Sequence, residues 1–269
     1  MKQVNDVRTP NAKTNEVNPK SAAWNEVGGL FWTLGRKSAR PTNEEINLFL
    51  KGVTRNTRVA IIGASTKELI EAAIHRDASV TVLDFSQKMC TDLRQAMADL
   101  QVEIKTVDIT KKPENALLSS FEYVLSDRLI NRFTRSEAIN AIGNMGLLLR
   151  KGGFVRMSVK LGLYDMDVKL ISEGEKRGTL STFFNAETKT INYAAAGSLL
   201  NDVNVSHGDI PKDILLSWYR GRGQETRFES ADIISIGEKE ASSLCPMKLV
   251  KNFIFPDAPR TEAFVFQAI

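Results

Sequence analysis

Histidine and cysteine are scarce in this chain of 269 residues, with two of each. Cys90 and Cys245 lie far apart and lack the close spacing of metal ligands, so they read as two reduced thiols. No apolar run approaches the roughly 20 residues needed to span a bilayer. The opening MKQVNDVRTPNAKTNEVNPK has no apolar core, which argues against a secretory signal. It is polar, with scattered Asn, Lys and Pro, and is expected to be a mobile tail. A cytoplasmic protein is the expectation. Charge of one sign is also missing in quantity: 36 basic residues face 32 acidic ones. The locally basic stretches, Gly35 to Arg40 and Tyr219 to Arg222, are short. A nucleic-acid binder more often carries a clustered basic face with interleaved aromatics, so a nucleic-acid partner is disfavoured. No internal repeat is present.

What is present is an ordinary globular composition, 42% hydrophobic and 25% charged. The most informative stretch is RVAIIGASTKELIEAAIHRDASVTVLDFSQKM, Arg58 to Met89. Val59 to Ile62 is a short β-branched-rich run ending at Gly63. Gly63, Ala64, Ser65 and Thr66 are small, so the backbone can pass close to a ligand. Lys67 to His75 carries a helical apolar face, and Val80 to Leu83 is a second strand. Asp84 follows the glycine by about 20 residues, the spacing at which an acid reaches a ribose hydroxyl in nucleotide-binding βαβ units.

The remaining pattern extends this unit. Ala22 to Leu34 is aromatic-rich, with Trp24, Phe31 and Trp32. Pro41-Thr42-Asn43-Glu44-Glu45 reads as a helix start, a polar cap followed by acids. Met89, Leu93, Met97 and Leu100 share a helical stripe. Val102 to Val107 is a third strand, Phe121 to Asp127 a fourth, Glu137 to Leu149 a helix ended at Lys151-Gly152-Gly153, and Phe154 to Val159 a fifth strand. Strands alternating with helices predict a doubly wound, mostly parallel α/β sheet. Leu163 to Ile236 breaks the alternation and reads as an insertion of mainly helical pieces. Met247 to Phe255 and Glu262 to Ile269, joined by Pro256 to Arg260, predict an antiparallel hairpin at one sheet edge. The expected organisation is a tail and helical lid over residues 1–50. A Rossmann-like domain then spans 51–269, with 163–236 on its substrate side.

This succession resembles the class I S-adenosylmethionine-dependent methyltransferases. The resemblance covers roughly Val53 to Val159 and Met247 to Ile269. It rests on Val59 to Ser65 at the first loop, Asp84, the pair Asp108-Ile109, and Leu147 to Gly153 before the fifth strand. It implies a seven-stranded sheet with a C-terminal hairpin and S-adenosylmethionine as cofactor. The first loop departs from the family's G-x-G-x-G pattern, since only Gly63 is a glycine. A fainter likeness points to divergent small-molecule members of the family.

The implied site follows residue by residue. Gly63, Ala64 and Ser65 would line the cofactor, and Asp84 would bind both ribose hydroxyls; the alternative for Asp84 is a helix cap. Phe85 and Met89 either flank the adenosine or belong to the core. Asp108 would meet the adenine amino group with Ile109 against the ring, or else cap a turn. After the fourth strand, Asp127 or Asn131 would contact the cofactor or the acceptor, and Arg128 and Arg132 could clamp a substrate carboxylate; an ion pair at a helix start is the plainer reading. Trp24, Phe31, Trp32 and Tyr193 are candidate walls for the sulfonium, and Tyr193 is also a candidate catalytic group. His207 is the one general-base candidate. Asp127 and Asn131 lack a third convergent acid, so no metal site is expected. The resulting expectation is an in-line methyl transfer to a small molecule, which needs alignment and desolvation more than a catalytic triad. Three rivals remain: a cyclase or lyase on the same fold that releases methylthioadenosine, an RNA methyltransferase, and a non-catalytic binding protein.

Overall fold

The computed structural model describes residues 18, 20–36, 40–203 and 205–269; the expected tail falls almost wholly outside them. Five strands come first: β1 (Arg58–Ile62), β2 (Ser79–Asp84), β3 (Glu103–Thr106), β4 (Phe121–Asp127) and β5 (Leu149–Lys160). A small sheet follows with β6 (Phe184–Asn185), β7 (Thr190–Asn192) and β8 (Gln224–Thr226), then the hairpin β9 (Met247–Phe255) and β10 (Ala258–Ala268). The large sheet has the order β3-β2-β1-β4-β5-β10-β9. Its first five strands are parallel and the hairpin antiparallel. This is the mostly parallel, seven-stranded Rossmann-like sheet that the sequence predicts. The order reverses between β1 and β4, which opens a crevice at their C-terminal ends.

Strand β1 shows why the pattern folds this way. Val59 and Ile61 join the core on one sheet face, and Ala60 and Ile62 join the core on the other. A strand covered on both faces has no polar side to show, hence the unbroken apolar run.

Helices α1 (Lys20–Val27), α2 (Leu30–Thr33) and α3 (Asn43–Phe49) precede the sheet, and α4 (Lys67–Ile74), α5 (Gln87–Ala96) and α6 (Arg135–Leu148) cross over it. The cap expected near Pro41 is real: Thr42 and Glu45 form a reciprocal capping box at α3. Thr134 and Glu137 do the same for α6. The insertion contributes α7 (Asp165–Lys176), α8 (Leu180–Phe183), α9 (Tyr193–Ala196), α10 (Leu199–Asp202), α11 (Lys212–Gly221) and α12 (Ser230–Ser235).

The insertion is mainly helical, as expected, and β6, β7 and β8 add a three-stranded antiparallel sheet to it. Strands of two or three residues are too short to show a period-2 pattern. The hairpin loop is shorter than expected, since β10 starts at Ala258 and only Pro256 and Asp257 turn the chain. Among the described residues, no helix is long and apolar enough to cross a membrane.

The insertion is tied to the sheet by buried charge. Arg227 has no exposed side-chain surface. Its Nε donates to Asp167 of α7 at 2.6 Å and its Nη1 to Glu225 of β8 at 3.1 Å. Nη1 also donates to the backbone oxygen of Asn131, beyond β4, at 3.2 Å. Nη2 donates to the Tyr193 hydroxyl at 2.6 Å, and that hydroxyl donates onward to Asp167. Removing one partner of such a buried pair typically costs about 3–5 kcal/mol, because the other charge is stranded. Asp167→Ala is therefore expected to lower unfolding stability by about that amount in urea titration. A loss below about 1 kcal/mol would mean that water reaches Arg227 and the network does not hold the insertion.

Candidate functional site

The crevice has two connected parts. The first is narrow, about 20 Å³, with space for little more than a water. Ile62, Gly63, Leu83, Asp84, Phe85, Val107, Asp108 and Ile109 border it from the strand tips, and Asn18, Lys20 and Trp24 close it from the N-terminal side. The second holds about 550 Å³ and runs from Ser65 and Thr66, past Asp127 to Arg132, to the insertion and the hairpin turn. Trp24, Leu129, Arg132 and Arg222 border both.

Asp84 sits at the C-terminal end of β2, buried, where β1 and β2 run in register from Ile62 and Leu83. Its Oδ2 accepts the Ala64 N–H at 2.7 Å and its Oδ1 the Ser86 N–H at 2.7 Å. Burial raises its pKa to about 6, against the lowering effect of those two bonds. Each oxygen keeps a further lone pair. Such a carboxylate suits a ligand that brings hydroxyl donors and favours its ionised form.

The first loop shows how it works with a single glycine. Gly63 has φ +102°, which other residues rarely adopt. Ala64 needs no such freedom: it is buried, its N–H serves Asp84, and its carbonyl accepts the Trp32 indole N–H at 3.1 Å. Trp32 thus braces the loop. Phe31, not Trp32, borders the large cavity.

The other expected cofactor contacts divide. Phe85 and Ile109 border the narrow cavity, whereas Met89 is fully buried in the core. Asp108 caps a turn, the plainer of the two roles considered for it, and also borders the narrow cavity. Its Oδ1 accepts the Thr110 N–H at 3.0 Å and hydroxyl at 2.7 Å. Its Oδ2 accepts the Asn18 amide at 3.0 Å, the atom an adenine amino group would need.

At and beyond the end of β4, Asp127, Arg128 and Asn131 are brought to the large cavity but are already engaged. Arg128 donates to Asp127 at 2.9 and 3.0 Å and to the buried Glu45 of α3 at 2.6 Å. The amide of Asn131 spans the backbone of Lys160, its Oδ1 accepting the Lys160 N–H and its Nδ2 donating to the Lys160 carbonyl. It thereby fixes the tip of β5 to the segment after β4. Tyr193 lines the cavity, but its hydroxyl is committed to Asp167 and Arg227, and burial holds its pKa well above the usual phenol value. Of the expected aromatic walls, Trp24, Phe31 and Tyr193 border the cavity and Trp32 does not; Trp218 and Tyr219 join them, and the rings hold a cation of the chain itself. The Arg222 guanidinium lies 4.6 to 4.7 Å from the ring centres of Tyr193, Trp218 and Tyr219.

His207 stacks between Phe31 and Trp218. Its Nδ1 accepts the Arg36 N–H at 3.2 Å. Burial, with Arg132, Arg36 and Arg222 nearby, lowers its pKa to about 4. It is neutral at pH 7 with one lone pair in use, a poor general base.

Sequence reasoning did not single out Asn18, Lys20, Tyr164, Asp167, Trp218, Arg222, Glu225 or Arg227 as site residues. They lie in the tail or in the short irregular elements of the insertion, without a spacing signal. Lys20 anchors α1 over the crevice: its Nζ donates to the Arg132 carbonyl at 2.8 Å, Glu137 at 2.7 Å and the Gln224 carbonyl at 2.8 Å. Trp24 packs on Trp218 with ring centres 5.5 Å apart. A Cβ at Gly221 would stand 2.7 Å from that of Ala23, so glycine there lets α11 approach α1.

No protein-family model matches the chain, and no curated protein matches it. Solved structures do. The methyltransferase CcbJ of Streptomyces caelestis superposes with a TM-score of 0.63 at 11% identity, covering 93% of this chain and 98% of that one. A Burkholderia thailandensis 1,6-didemethyltoxoflavin N1-methyltransferase, solved with that compound and S-adenosylhomocysteine, gives 0.59 at 10% identity, covering 97% and 93%. The chain thus has the class I S-adenosylmethionine-dependent methyltransferase fold. At closer range it belongs to the same family as a Rhodobacter sphaeroides protein that is 46% identical, with a TM-score of 0.91 over 94% of this chain and 99% of that one. That relative is described as a Zn-dependent alcohol dehydrogenase. Among the described residues there is no group of three His, Cys, Asp or Glu placed to hold a metal ion.

The anchoring of α1 is testable directly. Lys20→Met is expected to raise hydrogen exchange of the α1 amides about tenfold or more, since bonds from a charged donor are worth about 1.5–3 kcal/mol each. Exchange of the β1 and β4 amides should stay unchanged. Equal α1 exchange in both proteins would show that the helix is held by its aromatic packing alone.

Proposed function

We propose that the protein binds S-adenosylmethionine and transfers its methyl group to a small molecule. The observation that carries this reading is Asp84: a buried carboxylate at the tip of β2, on the crevice at the point where the strand order reverses. In this reading Asp84 receives the ribose hydroxyls. Phe85 and Ile109 flank the adenine, and Asp108 meets it after Asn18 gives way. The methionine end extends past Gly63, Ser65 and Thr66 into the large cavity. The cofactor supplies an activated methyl carbon on a good leaving group. The chain contributes position and exclusion of water.

The narrow part of the crevice is too small for an adenosine as it stands, so α1 must move for entry. The anchor of Lys20 and the Trp24–Trp218 contact then reclose it. A lid built from α1 makes the reaction chamber dry, which strengthens the alignment of acceptor and sulfonium.

The rival cyclase or lyase reading uses the same cofactor site and differs in the carbon attacked. Incubation of the protein with S-adenosylmethionine alone separates the two. Methylthioadenosine as the released nucleoside would replace methyl transfer with the rival reaction.

Cofactor binding itself has a pH signature. The raised pKa of Asp84 means that the empty fold loses stability as pH rises through about 6, when the buried group ionises. Ribose hydroxyls favour the ionised form. The affinity for S-adenosylhomocysteine is therefore expected to rise as pH increases from 5 toward 6 and to level off above it, measured by calorimetry. Asp84→Asn should weaken binding at pH 7.5 by about 1.5–3 kcal/mol and flatten the profile. A flat profile in the native protein would remove Asp84 from the site.

A further inference from the structure

The large cavity carries one guanidinium, that of Arg132, whose carboxylate neighbour is held at ion-pair distance without a hydrogen bond. Three guanidiniums, Arg132, Arg222 and Arg227, surround two carboxylates, Glu225 and Asp167. Glu225 is taken by Arg222 at 2.7 Å and Arg227 at 3.1 Å. Asp167 is taken by Arg227 and Tyr193. Arg132 stands apart, with its nearest carboxylate oxygen, on Glu225, at 3.8 Å, beyond hydrogen-bond reach. Among the described residues, no side-chain or backbone acceptor bonds its guanidinium. About a quarter of its side chain is open, and it borders both parts of the crevice.

A second donor without a partner stands beside it. The guanidinium carbon of Arg132 lies 5.4 Å from the Trp218 ring centre. The indole Nε1 of Trp218 is buried and, among the described residues, has no hydrogen-bond partner. A buried donor without a partner is costly, and here one stands beside a partly open guanidinium on the same cavity wall, which points to a group that arrives from outside. The remaining acids on that wall do not answer the charge. Asp127 is bound to Arg128, Asp165 to Arg260, and Asp257 is exposed at the hairpin turn. Lys160, also on the wall, places its Nζ over the face of Tyr164 at 4.7 Å.

We propose that Arg132 and Trp218 form a carboxylate-binding subsite in the large cavity, an inference that rests on that cavity being the cofactor and acceptor site. A planar guanidinium matches a carboxylate with two parallel bonds. The carboxylate belongs either to the methionine end of the cofactor or to the acceptor. In the second case the acceptor is a small aromatic or aliphatic acid lying against Phe31, Trp218 and Tyr219.

Three ligands decide it by calorimetry: S-adenosylhomocysteine, methylthioadenosine, which lacks the carboxylate, and benzoate, added to the free protein and to protein saturated with S-adenosylhomocysteine. Arg132→Met and Trp218→Phe are compared with the native chain. The conservative Arg132→Lys should fall between native and Met, since lysine keeps the charge without the fork. A tenfold or greater loss in the preference for S-adenosylhomocysteine over methylthioadenosine assigns the subsite to the cofactor. An unchanged preference with a tenfold or greater loss of benzoate affinity assigns it to the acceptor. Methylthioadenosine affinity and melting temperature report folding of each variant. If neither the preference nor benzoate binding changes in either variant, or if benzoate fails to bind the native protein and the preference is unchanged, the subsite does not exist. Failure of S-adenosylhomocysteine to bind the native protein would overturn the cofactor reading instead, and benzoate on the free protein would still decide the subsite.

Discussion

The site depends on one buried interaction, the embrace of Arg227 by Asp167, Glu225 and Tyr193. Each partner comes from a different element of the insertion, and the same guanidinium reaches the backbone beyond β4. A charge of this kind cannot be left without partners in a dry interior, so all four segments are held in one arrangement. Arg222, the aromatic rings around it and the Arg132 backbone that receives Lys20 all stand on that arrangement. The cavity is therefore shaped by electrostatics at its base and by aromatic packing above it.

That base also sets the chemistry the cavity can support. Burial, aided by the surrounding guanidiniums, keeps His207 neutral. Burial holds the Tyr164 hydroxyl near pKa 12. Arg222, with Arg132 and Arg227, outweighs burial to hold Glu225 at about 2. None of these titrates near neutrality, so none is poised to carry a proton there. A chamber of this character suits a displacement whose leaving group departs without protonation, which is the case for a sulfonium.

Much of the sheet was legible because its signals are local. The β1 run is apolar on both faces, Asp84 stands at the strand tip, and Thr42 caps its helix by a spacing that survives in any context. The departure of the first loop from a glycine-rich pattern was legible only as a departure. The structure supplies its reason, since Ala64 works through its backbone while Gly63 alone takes the positive φ. The insertion was opaque for a different reason. Arg227 and Asp167 are 60 residues apart in sequence, and β6 to β8 are too short for periodicity to show. Tyr193 looked like a cavity wall and is one, yet its hydroxyl serves the ion network, a role that depends on partners no spacing could reveal.

Closure and charge are linked through one residue. The Arg132 carbonyl holds Lys20, and with it α1, over the crevice, while the Arg132 guanidinium faces the cavity. The side chain and the backbone of Arg132 therefore act on opposite sides of the same short segment, Ile130–Arg132, which Asn131 pins to the end of β5. That segment is held from two sides, by the Lys160 backbone at the Asn131 amide and by Arg227 at the Asn131 carbonyl. The anchor of α1 and the guanidinium on the cavity wall therefore take their positions from one fixed element, which a rigid backbone hydrogen-bonded on both sides can supply to groups on opposite faces.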